Sequence, residues 1–224
     1  MSKGRTANVS FRQLASSFLL EKSTLTVIVG FCFLALVNIS TLLIGPDGII
    51  NFLTGHYLGI ILAPFVFDSW GTISGLLGVV ILFVPLLVGT PRKERQSLST
   101  FFLFASVAIG LASTLIWNMD FNTSETIPYG SSSIDISAQA IIFTLSFFGL
   151  FRVFRQEPQP ERYVRNSIAI IYATLILTTL WFVLYLEPIF VPSDQYNWRV
   201  HEIAFLIGIL ATLIYVAIYK KKKL

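Results

Sequence analysis

The chain has 224 residues, of which 54% are hydrophobic and 12% charged, whereas about a quarter of the residues in a soluble domain carry charge. That balance excludes a soluble enzyme and defines a membrane protein. The net charge of +4 follows from residues flanking apolar runs, so it speaks for topology and against a nucleic-acid partner.

Six runs approach the roughly 20 apolar residues that a membrane-crossing helix needs: 25–44, 72–89, 97–117, 132–151, 167–186 and 200–219. The first follows Lys3, Arg5, Arg12 and Lys22 and is followed by Gly45-Pro46-Asp47-Gly48. It lacks a small-residue cleavage site and is predicted to be a span, not a signal peptide. Cys32, the one cysteine, lies inside it, so an intrachain disulfide is excluded.

The connection from 45 to 71 contains its own apolar stretch, YLGIILAPFVF at 57–67. It is too short to cross, and with Gly59, Pro64 and Asp68 it predicts an interfacial or re-entrant element. A loop packed on the bundle without function fits the same composition. Asn38 and Asn122 each open a glycosylation triplet, but Asn38 is inside a span and Asn122 alone lies in a connection.

Lys and Arg collect on the cytoplasmic side of membrane proteins. Here they cluster in the N-terminal segment, at Arg92, Lys93 and Arg95, at Arg152, Arg155, Arg162 and Arg165, and at Lys220 to Lys223, leaving Arg199 alone on the other side. Both termini are therefore expected in the cytoplasm. The predicted organisation is a 1–24 cytoplasmic segment, a 25–219 six-helix transmembrane domain and a 220–224 basic tail. The expected location is a prokaryotic plasma membrane.

Ionisable side chains at membrane depth are costly and are candidates for function. Asp135, His201 and Glu202 qualify, all near the outer ends of their spans. The fourth span opens at Ser132 and the sixth near Val200, which predicts Ser132 and His201 at similar depth. A serine hydroxyl becomes a nucleophile when a base within hydrogen-bond reach takes its proton. The other histidine, His56, lies in the first outer connection, where there is no lysine to serve instead. Ser132 also starts a helix, where unpaired N–H groups and the positive dipole end can stabilise an oxyanion. Ser132-Ser133-Ile134-Asp135 fits a helix capping box as well, and His201 with Glu202 fits an interfacial pair reaching for water. Two histidines and one cysteine at different depths form no ligand set, so neither a metal nor a cofactor is expected.

Gly130-Ser131-Ser132-Ser133 resembles the Gly-x-Ser-Gly motif that opens the fourth of six spans in the rhomboid family of intramembrane serine proteases. The sixth rhomboid span opens on a histidine followed by small residues; here His201 precedes Ala204, Gly208 and Thr212, a spacing that lets helices approach closely. The segment YLGIILAPFVFDSWGTISGLLG resembles the loop leading into the family's second span, and VGTPRKERQS its following turn, with Glu94 in the acidic place.

The resemblance runs from about residue 25 to the C-terminus. It implies a six-helix rhomboid-like bundle that cleaves transmembrane helices near their outer ends, with Ser132 as nucleophile and His201 as base and then acid. It implies an oxyanion site near Gly130, Ser131 and Ser133, with Thr72 nearby in the second span; Asp135 and Glu202 are not part of the family pattern and are candidates for support from their position alone, capping being the first expectation for Asp135. The implied partners are transmembrane protein substrates and membrane lipid, and no oligomeric state is defined.

The sequence departs from the family where a histidine and an asparagine of the second span donate to the oxyanion: these places hold Thr72 and Leu76. Phe67 replaces the histidine of the loop, and Ile136 an aromatic residue one turn after the serine. Loss of one oxyanion donor costs about 100- to 1000-fold in rate. A catalytically inactive relative that binds transmembrane segments is the competing expectation. A small transporter or structural protein is a third, though midplane charges and paired broken helices, its usual marks, are missing.

Overall fold

The computed structural model describes residues 21–44, 61–66, 70–120, 132–155, 162–183 and 198–221. Six α-helices follow in order: α1 (Lys22–Ile44), α2 (Trp70–Val88), α3 (Arg92–Asp120), α4 (Ser132–Arg155), α5 (Arg162–Trp181) and α6 (Trp198–Lys221). Each contains a stretch long and apolar enough to cross a bilayer, and no strand occurs among the described residues. The described residues are those of a multi-pass membrane protein built from helices.

The helices begin or end beyond their apolar runs where charges flank them. α3 and α5 start at Arg92 and Arg162 instead of 97 and 167, and α4 continues to Arg155 instead of 151. Arg, Lys and Glu are strong helix formers, so a boundary set by polarity underestimates the helix. Pro91 immediately before α3 and Glu94 in its first turn suit a helix start. Arg152 and Arg155 in the last turn of α4 complement its negative dipole end. α5 ends at Trp181 and continues as a π turn over 182–183; the rest of the predicted run is outside the described residues.

α4 is the centre of the bundle. Every residue from 133 to 142 is buried, and α2, α3, α5 and α6 all pack on it. α1 closes the structure by packing on α2 and α3. There the rings of Phe83 and Phe102 stack at 4.0 Å, with Phe31 at 5.5 Å from Phe102. Asn38 is fully buried in α1 and donates from Nδ2 to the Leu34 carbonyl.

From the first connection, the 3-10 turn Ala63–Phe65 is described, and it lies against α1, α3 and α4. Ala63, Pro64 and Val66 are buried, while Ile61 and Leu62 are exposed. This portion of the predicted 57–67 element therefore rests on the bundle. His56, Asp68 and Asn122 lie outside the described residues.

Among the described side chains, every Lys and Arg lies at one end of the bundle, at the starts of α1, α3 and α5 and the end of α4. Ion pairs tie this end together. Glu21 accepts from Arg95 at 2.7 Å and meets Arg92 at 3.8 Å, and Glu94 pairs with Arg152 at 3.3 Å. Arg95 also donates from Nε to the Thr90 carbonyl at 2.9 Å. Glu21→Gln is expected to lower stability by about 1 kcal/mol or less, because both partners retain some contact with solvent. Thermal unfolding in detergent at low and high salt checks this, the difference shrinking as salt rises.

Candidate functional site

Close contacts fix how the helices lie against α4, and from these the depth of each candidate residue follows. A Cβ at Gly75 of α2 would overlap the Asp135 carboxyl. Farther along, Gly89 and Gly149 enclose the ring of Tyr172. Both pairings give the same offset, 135 − 75 = 60 and 149 − 89 = 60, so α2 and α4 run parallel and position 72 lies level with 72 + 60 = 132. Thr72 is 3% exposed.

α6 packs on α4 through Gly208. A Cβ there would come within 2.7 Å of the Ala140 Cβ and 3.1 Å of the Ser137 carbonyl oxygen. The offsets are 208 − 140 = 68 and 208 − 137 = 71, so His201 lies level with 130 to 133 of α4. Positions 132, 72 and 201 thus lie at one end of the bundle, level to about one helical turn at the Gly208 crossing. This is the end of the bundle opposite the arginines of α3, α4 and α5.

Helical angle gives the second coordinate. At ~100° per residue, position 132 lies about 60° from position 135, which faces α2, and about 80° on the other side from position 140, which faces α6. On the α4 backbone, position 132 therefore lies between the directions of α2 and α6. The structure describes Ser132 by its backbone as the first residue of α4; Gly130 and Ser131 lie outside the described residues.

His201, Ala204, Gly208 and Thr212 form one buried stripe on α6, His201 being 7% exposed and Ala204 and Thr212 fully buried. Thr212 donates its hydroxyl to the Gly208 carbonyl at 2.7 Å. Small residues along this stripe let α6 approach α4, and that approach carries His201 into the bundle. Glu202 is exposed, so the structure does not bring it to the position the sequence suggested for it.

The polar residues after Ser132 have other tasks. Ser133 donates to the Gly110 carbonyl of α3 at 3.2 Å and lies 3.5 Å from the Thr114 hydroxyl. Ser137 is 2.8 Å from the Ser106 carbonyl. These contacts fasten α3 to α4, and the Ser133 hydroxyl serves that packing. Asp135 faces α2, where its Oδ1 accepts from Gln139 Nε2 at 2.7 Å. It is turned away from α6, which argues against its orienting His201, and its described hydrogen bond is not that of a capping box. Leu76, fully buried one turn below Thr72, presents no donor. Ile136, also buried, lies beneath position 132.

Sequence reasoning missed Gly75, Gly110, Ser137 and Gln139. For Ser137 and Gln139 the signal was present as polar residues four apart, 133 with 137 and 135 with 139, in an otherwise apolar run; for Gly75 and Gly110 there was none. No group of side chains that could hold a metal ion occurs among the described residues. Comparison with known protein families, characterised proteins and solved structures gives no match to this chain.

Proposed function

We propose that this protein is an intramembrane serine protease of rhomboid type, with both termini in the cytoplasm of a prokaryotic cell, cutting transmembrane helices near their outer ends. The observation that carries the reading is the common depth of positions 132 and 201, with His201 buried on the stripe of α6 that packs against α4.

In this reading the Ser132 hydroxyl attacks the scissile carbonyl while His201 takes its proton. The C–O bond forms, the carbonyl oxygen becomes an oxyanion, and the N–H groups at the start of α4 stabilise it. Thr72, level with position 132, supplies a hydroxyl from α2. His201 then gives its proton to the amine as the C–N bond breaks, leaving an acyl-serine that water, deprotonated by His201, hydrolyses. The substrate helix has to unwind locally first, because a regular helix engages its own carbonyls.

A second reading, an inactive protein that binds transmembrane segments, draws on one specific observation: Leu76 is apolar and fully buried where the resemblance expects an amide donor. A fluorophosphonate probe on the purified protein separates the two. The protease reading expects labelling of the wild type that is lost in both Ser132→Ala and His201→Ala at nearly unchanged melting temperature. An unlabelled wild type rejects it.

A further inference from the structure

At the arginine-rich end, far from position 132, the bundle holds a cavity of about 650 Å³, a size typical of sites for small molecules. Five helices wall it. Leu86 of α2, Leu98 of α3, Leu145 and Phe148 of α4, Tyr172 of α5 and Val216 of α6 give it an apolar interior. Phe147 and Phe151, 47% and 51% exposed, stand edge to face at 5.0 Å on its rim. Exposed aromatic residues on a membrane-spanning helix make that rim a lipid-facing opening.

The charged groups of the cavity carry a net positive charge. Glu94 lines it, but its carboxylate is 12% exposed and already engaged by Arg152 at 3.3 Å. Arg155, one turn farther along α4, also lines it, is exposed and has no acidic partner among the described residues. Among the described residues, one arginine thus stands beside an apolar chamber without an acidic partner. A free phosphate ion would leave the apolar chamber empty. An amphiphile with an anionic head and a flexible hydrocarbon chain satisfies both halves of the site.

We propose that this cavity binds an anionic phospholipid, one acyl chain entering past Phe147 and Phe151 and the headgroup phosphate meeting Arg155. The inference rests on the helical bundle and its charges and is independent of the protease reading.

Native mass spectrometry of the protein released from mixed phosphatidylglycerol and phosphatidylcholine micelles tests it. The wild type is expected to retain phosphatidylglycerol in preference to phosphatidylcholine. Arg155→Gln should weaken that retention about fivefold, the worth of one basic residue near a lipid surface, and Arg155→Lys should restore most of it. Val216→Trp, which fills the chamber from its wall, should abolish retention with the helical circular dichroism unchanged. Excess inorganic phosphate should leave the lipid bound. Equal retention of the two lipids by wild type, undiminished retention by Arg155→Gln, or displacement by inorganic phosphate would each overturn the proposal.

Discussion

Ser132→Ala and His201→Ala are each expected to lower cleavage of a transmembrane-helix substrate by at least about 1000-fold, and the double variant to be no worse than either one. Residues that act as one unit lose their effect together, since the hydroxyl is inert without its base and the base has no proton to move without the hydroxyl. A helix cap behaves differently. If position 132 served the helix start alone, alanine there would cost about 1 kcal/mol of stability, and His201→Ala would contribute independently. Rates and melting curves of the single and double variants distinguish these outcomes. Thr72→Val preserves shape and removes a hydroxyl level with position 132. It is expected to lower kcat by about 100-fold with KM unchanged, as for a lost oxyanion donor. An unaltered kcat would remove Thr72 from the site and leave the backbone N–H groups as the sole donors.

Gly75→Ala is expected to destabilise the protein by about 1–3 kcal/mol, the usual cost of overfilling a packed interior. The Asp135 carboxyl occupies the space where a side chain at 75 would begin, and Asp135 is held there by Gln139. Shortening the opposing group should therefore rescue the variant. Asp135→Ala alone removes the carboxyl and leaves Gln139 Nε2 without its acceptor, a loss in itself. In combination with Gly75→Ala the two methyl groups share the vacated space, so the double variant should be more stable than the sum of the single losses predicts. Thermal unfolding of the four proteins in one detergent closes the cycle. Additive losses would mean that the carboxyl can move away from α2 at little cost.

The six helices were legible because length and apolar composition alone decide whether a segment can cross a bilayer. Their ends were less so, as with the turns of α3 and α5 that start at Arg92 and Arg162, because helix formation extends through charged residues that hydropathy excludes. The stripe from His201 to Thr212 could be read from spacing, since small residues on one face have few uses besides close packing. What Ser133 and Asp135 do could not. Both stand beside Ser132 in sequence, yet ~100° per residue sends Ser133 to α3 and Asp135 to α2. Which neighbour occupies each direction is a property of the assembled bundle. The mates of these residues, Gly110 and Gly75, are distant in sequence and have no side chain to announce them.

The central helix has a consequence for how the protein is made. Ser133, Asp135, Ser137, Gln139, Thr144 and Ser146 are all buried in α4, and several of their hydrogen bonds end on α3. A segment this polar enters lipid poorly by itself, with a carboxylate being among the costliest groups for a membrane to accept. Its partners on α2 and α3 precede it in the chain and can already be in the bilayer when it emerges. The order of synthesis thus provides a protein surface for α4 to insert against, and α5 and α6 then enclose it.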